Sequence, residues 1–221
     1  MIKDLFRWCD DIGMFASDRP INDVGSVKGS CDHRTSFCDE DCYNVKLYRM
    51  YPNMGKRDER CEHEWQRISG DAVRTYLSRK KKQIKRARHM TRGEAIKDLP
   101  DVYRVKEIAL ATPETVWWVP TRAWRNTLLR ELIQIELFPI ANIALNASLD
   151  PSNTQEEEDS LIDDGWNIMY FGDDTKYVGK GEAFKCPKTW KKMSGHCAVC
   201  KAGCFSQTTI GKRVTVHLSS H

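Results

Sequence analysis

"ETVWWVPTRAWRNTLLRELIQIELFPIANIALNAS", residues 114–148, is the stretch that decides the fold. Residues 114–120 are apolar and β-branched or aromatic, so they read as a buried strand. Residues 122–138 read as a helix with apolar positions at Leu128, Leu129, Leu132, Ile135 and Leu137. Residues 142–148 are a second buried strand. Strand, helix and strand joined by short turns make a βαβ unit, with parallel pairing and a right-handed crossover.

Working outward, residues 166–172 ("WNIMYFG") read as a third strand and residues 212–218 ("KRVTVHL") as a fourth at an edge. The acidic stretch 151–165 between them is a surface loop or short helix. Upstream, residues 101–112 form an amphipathic helix between Pro100 and Pro113. Residues 71–92 are expected to be one long helix, with Val73, Tyr76, Leu77, Ile84 and Ala87 near helical spacing. Residues 1–30 are expected to be an irregular lead, with turns at "DRP" and "GSVKGS". The expectation is an α/β fold, a partial (βα) barrel-like parallel sheet in a single domain over 31–221. Metal-bound, cysteine-rich segments lie at 31–61 and 186–204.

The length of 221 residues suits one domain, and 40% hydrophobic with 30% charged residues is a globular composition. No run of eighteen apolar residues exists, so no membrane is expected. The start "MIKDLFRWCDDIGMF" has acids where a signal peptide needs an apolar core. A cytoplasmic location is expected, with nine cysteines kept reduced.

Those cysteines fall into groups. Cys186, Cys197, Cys200 and Cys204 lie within nineteen residues, with x2 and x3 spacings that converge thiolates on one metal centre. Cys31, Cys38 and Cys42 form a second group, with Cys61 further on. Four thiolates suit zinc, but only one x2 knuckle is present, and the reading favours a [4Fe–4S] cluster over zinc. His33 and His196 stand near ligand cysteines and could substitute for one, but the favoured reading of each is a solvated histidine.

Residues 79–92 carry eight Lys or Arg in fourteen and no acid: Arg79, Lys80, Lys81, Lys82, Lys85, Arg86, Arg88 and Arg92. A basic helix of this density neutralises phosphates. Trp65, Trp117, Trp118 and Trp124 are core residues or stacking platforms. If residues 64–68 ("EWQRI") are a strand, Asp71 follows a strand-to-helix turn. Arg122 and Asp150 end two further strands, so the three are expected to converge in a pocket at the carboxyl edge of the sheet.

Several short motifs together resemble a family. Cys38-Asp-Glu-Asp-Cys42-Tyr43, Arg67-Ile-Ser69-Gly70-Asp71, "WWVPTRAW" with Thr121-Arg122, "NASLD" with Ser148, Cys186-Pro187 and Cys197-x2-Cys200-x3-Cys204-Phe205 follow one another in order. This series is similar to phage and mobile-element proteins of the gene 88 type, over residues 31–221. That resemblance implies a phage origin and carries no activity. The layout also looks like radical S-adenosylmethionine enzymes, whose cluster is held by C-x3-C-x2-C after an early strand. Here Val45 stands where the third cysteine belongs, so Cys31 would have to serve. No "GGE"-like segment for the methionine end of that cofactor is evident. Three functions are carried forward. First comes a nucleic-acid-associated accessory protein with a structural cluster, then a protein that binds a host protein, then a cluster-dependent enzyme.

Overall fold

The structure is a computed structural model that describes residues 2–51, 53–177, 183–192, 197–206 and 214–219. Among the described residues eight strands form one sheet: β1 (Phe6–Cys9), β2 (Met14–Ser17), β3 (Arg86–Arg88), β4 (Val116–Thr121), β5 (Ile143–Leu149), β6 (Asn167–Gly172), β7 (Phe184–Lys185) and β8 (Thr215–Ser219). Their order is β1-β2-β3-β4-β5-β6-β8-β7. Only β1 and β2 pair antiparallel; every other pair is parallel. From β2 to β6 each parallel strand lies beside the last in one direction, the progression of a (βα) barrel; β8 then lies between β6 and β7, and among the described residues β1 and β7 are the edges.

Nine helices among the described residues complete the fold: α1 (Ile2–Leu5), α2 (Ser36–Asp41), α3 (Tyr43–Met50), α4 (Asn53–Trp65), α5 (Gly70–Ser78), α6 (Leu99–Ala111), α7 (Thr127–Glu136), α8 (Gln155–Asp163) and α9 (Pro187–Trp190). Right-handed crossovers in one direction put the connecting helices on one face of the sheet. There Val73 and Leu77 of α5, Val105 and Ile108 of α6, Leu129 and Ile133 of α7 and Leu161 of α8 pack on Trp117, Val119, Leu145 and Ile168. The other face is left for the two cysteine segments.

The βαβ unit is as the sequence implies, with Trp118 beside Ala144 and Val119 beside Leu145 in register. In α7 the buried set is Leu129 and Ile133, continued by Leu137 past its end, while Leu128 and Ile135 face outward. A spacing of four keeps one stripe inward, and the expected set mixed two stripes.

Three expectations change. Residues 1–30 are not an irregular lead, because Phe6–Cys9 and Met14–Ser17 add a hairpin to the sheet. Residues 53–65, and not a strand at 64–68, form the helix before Ser69. The single helix over 71–92 does not exist. The turn after Leu77 has Lys80 and Lys81 where the helical stripe needs an apolar residue, α5 stops at Ser78, and Arg86-Ala87-Arg88 alternates with period two as β3. Ala87 is buried on the helical face and both arginines point to the other face. The fourth strand covers 215–219; residues 212 and 213 lie outside the described residues.

Candidate metal and cofactor cleft

The open face of the sheet forms a cleft of about 1190 Å³. Cys31, Cys38, Cys42, Cys186, Cys197, Cys200 and Cys204 all line it. Sheet residues Arg88, Trp118, Pro120, Met169, Phe171 and Leu218 form its floor.

The first cysteine group stands at the carboxyl edge of the parallel strands. Cys38 lies in α2 and Cys42 follows it, one helical turn apart. Thr35 caps α2, accepting from the Cys38 amide at 3.2 Å, while its hydroxyl donates to Asp150 at 2.6 Å. Asp150 is fully buried and pairs with Arg122 at 2.8 Å. Burial works to raise its carboxyl, but the Arg122 guanidinium and hydrogen bonds from Ser152 and Thr35 hold it below the usual carboxylate range. Arg122 and Asp150 therefore converge as the strand ends implied, and their work is to dock the cysteine helix. Phe37 adds an edge contact with Phe171 at 5.8 Å.

Asp71 does not join them. It is exposed in the first turn of α5, pairs with Arg74 at 2.8 Å, and does not line the cleft. Ser69, not Asp71, caps that helix. The expected convergence required a strand before Ser69, and a helix stands there.

The residue the sequence reading missed is Glu94. After β3 the chain turns through Met90 (φ 58°) and Gly93 (φ 75°) and brings Arg92-Gly93-Glu94 beside Cys31. A Cβ on Gly93 would meet the Arg19 carbonyl at 2.6 Å, so this turn requires glycine. Glu94 is buried, lines the cleft, and accepts from the Arg122 amide at 2.8 Å and the Ile96 amide at 3.2 Å. Burial lifts its carboxyl above the ordinary range. The signal was a Gly-Glu pair after a basic alternating triplet, too short to read as a strand. His33 lies nearby, half-buried, with Nε2 at 3.1 Å from the Lys97 carbonyl oxygen.

The second group is docked on the sheet by polar side chains of the cleft face. Arg86 donates to the carbonyls of Ala198 and Cys200 at 3.1 and 3.0 Å. Asn146 donates to the Cys204 carbonyl at 3.1 Å and Asn167 to that of Ser206 at 3.0 Å. Phe205 lies against Trp118 at 5.7 Å. Cys186 hydrogen-bonds through its amide to the His217 carbonyl at 2.8 Å. His196 lies outside the described residues.

Thiol electrostatics follow the same grouping. Burial, then the charges of Glu94, Cys42 and Cys38, pushes Cys31 up to about 12. Burial, then Cys186, Cys197 and Cys200, pushes Cys204 up to about 12, and burial with Cys186 pushes Cys197 up to about 11. Cys31, Cys197 and Cys204 thus resist deprotonation, and a cation among the sulfurs would oppose that. As the side chains stand, no three described His, Cys, Asp or Glu residues are arranged to hold a single metal ion. Cys61 belongs to neither group: it is buried under α1, its thiol on the Asp4 carbonyl.

The basic run is divided. Arg79, Lys81, Lys82 and Lys85 are exposed on and after the end of α5, and Lys80 lies over the Tyr76 ring at 3.7 Å. Arg86 is spent on the cysteine segment. Arg92 is buried and pairs with Asp58 at 2.7 Å. Arg88 faces the cleft. Trp65, Trp117 and Trp124 are core residues; Trp118 lines the cleft. No helix among the described residues is long and apolar enough to cross a membrane.

No curated protein and no solved structure matches the chain. A family model described as gene product 88 matches residues 18–203, from the end of β2 to the C-terminal cysteine segment, and the chain therefore belongs to that phage gene-product family.

Proposed function

We propose that the chain is a cluster-dependent enzyme in which Cys31, Cys38 and Cys42 hold an iron–sulfur cluster and S-adenosylmethionine binds beside it. The observation that carries this reading is the convergence of seven thiols, from opposite ends of the chain, on one large cleft at the open face of a (βα) sheet.

What supports a cluster is the chemistry of the donors, seven cysteines on one cleft. A cluster of several irons is larger than a single zinc ion and takes a wider ring of thiols. Three thiols in the first group leave a four-iron cluster one iron without a protein ligand. The second group offers four, enough for a closed site. When bound, the open cluster supplies one electron and a free coordination position to the cofactor.

The rest is done by the chain itself. Arg92-Gly93-Glu94, in the turn after β3, is the part of the cleft we assign to the methionine end of the cofactor. Glu94, buried with two backbone amides on its oxygens, is a fixed acceptor for an ammonium group. Trp118, Met169, Phe171 and Leu218 give the cleft an apolar floor beside these polar groups.

The test is purification without oxygen, with iron, sulfide and zinc analysis. The expected protein is brown, absorbs near ~400 nm and carries about four irons or more per chain. Its spectrum changes on adding S-adenosylmethionine. A colourless zinc protein, or iron protein blind to that cofactor, removes the reading.

A second reading, contact with nucleic acid, rests on Arg79, Lys81, Lys82 and Lys85. They are exposed together and make no ion pair with a described carboxylate. Neutral replacement of all four is then expected to flatten the salt dependence of binding by about four phosphate contacts.

A further inference from the structure

We infer that Arg88 is the anion-binding residue of the cleft, holding a carboxylate or phosphate group of the substrate between the two cysteine groups. The inference rests on the cleft being a substrate site and names the chemical class of what enters it.

Six described Arg and Lys side chains line the cleft, and five have carboxylate partners. Arg7 pairs with Asp18 at 3.1 Å, Arg34 with Asp39 at 2.9 Å, Arg92 with Asp58, Arg122 with Asp150, and Lys188 with Asp11. Arg88 alone makes no ion pair with a described residue. Its Nε donates to the Met90 carbonyl at 3.0 Å, and its guanidinium lies over the Trp118 ring at 4.3 Å. One of five N–H donors is used, and the others have no partner among the described residues.

The remaining donors of this half-buried guanidinium face the cleft and are free of carboxylates among the described residues, so an anionic group entering there meets them directly. The stack on Trp118 and the bond to Met90 fix the plane of the fork, so little entropy remains to be lost on binding. A planar fork held in this way suits a two-oxygen anion, with two parallel charge-assisted hydrogen bonds. The position suits a substrate too. Arg88 sits on β3 in register with Trp118 and Ala16, at the centre of the floor, and its charge is felt by Cys197 and Cys204.

The rival role is compensation of thiolate charge, and the experiment separates the two. Calorimetric titration of the full chain, purified without oxygen, uses inorganic phosphate and acetate as probes. Wild type is compared with Arg88→Gln, Arg88→Lys and a surface control, Lys81→Gln with Lys82→Gln, with iron measured on each. The expected result is one saturable site per chain, weakened at least about tenfold in Arg88→Gln, less in Arg88→Lys, and unchanged in the control, with iron content equal throughout. Three results overturn the proposal: no saturable site for either probe in wild type, equal affinity in Arg88→Gln, or iron lost from Arg88→Gln while anion affinity stays. A chain that binds anions through Arg88 but ignores S-adenosylmethionine keeps this site and loses only the cofactor reading.

Discussion

Replacing Arg19 by methionine is expected to be among the most damaging single changes in the chain. Arg19 follows β2 and is 2% exposed. Its Nε and one Nη donate to the two Glu62 oxygens at 2.7 and 2.8 Å, and the other Nη to Asp101 at 2.7 Å. That Nη also reaches the carbonyls of Glu94 and Ala95 at 3.1 and 3.3 Å. The guanidinium stands 5.4 Å over Trp65, whose indole N–H donates to Asp101 at 2.7 Å. One side chain thus ties β2, α4, α6 and the turn that carries Glu94. Arg19→Met keeps the apolar stem and removes the cation, so Glu62 and Asp101 stay buried with charge that Arg104 only partly offsets. Breaking a buried pair from one side costs about 3–5 kcal/mol. For a chain of this size that is a drop of about 10–15 °C in Tm. Urea and thermal unfolding at neutral pH measure it. Lys28→Met is the control, because the Lys28–Asp23 pair is exposed and screened, and no change is expected there. A loss under about 1 kcal/mol for Arg19→Met would refute the view that this buried network carries the junction.

The remaining predictions concern pH, backbone and docking. His89 is fully buried, stacked on Trp117 at 4.4 Å, and burial lowers its pKa to about 3 from 6.5. The unfolded chain takes up a proton that the folded one refuses, so stability is full above pH 6.5 and falls by about 1.4 kcal/mol per unit below it. His89→Leu should flatten that slope, and equal slopes between pH 6.5 and 4 would count against it. Gly93→Ala forces a side chain into a left-handed position against the Arg19 carbonyl, so a cost of about 1–3 kcal/mol in urea unfolding is expected; an unmoved midpoint refutes the strain. Thr35→Val removes both the α2 cap and the bond to Asp150. Stability should fall by about 1–3 kcal/mol and anaerobic iron content with it, while full iron loading would show that this dock is dispensable to the cysteine group.

Much of this molecule is written in local sequence. The βαβ unit at 114–148 is legible because a strand and a helix each repeat their apolar residues with their own period. The x3 and x2 cysteine spacings are legible because a single turn of backbone brings such thiols together. Arg122 and Asp150 were legible as neighbours because parallel strands put their carboxyl ends on one edge. Where two periods share a short stretch, the sequence alone misleads. Ala87 fits a helical stripe after Val73 and Leu77, yet it belongs to a three-residue strand whose partners, β2 and β4, lie far away in the chain. With that strand unread, Glu94 had no edge to stand on, and Arg86, Arg88 and Arg92 counted as surface charge. What only the tertiary structure decided is that cysteines 31–42 and 186–204 share one cleft. Strand order is fixed by the burial of a whole sheet face, a sum over contacts that no local spacing contains.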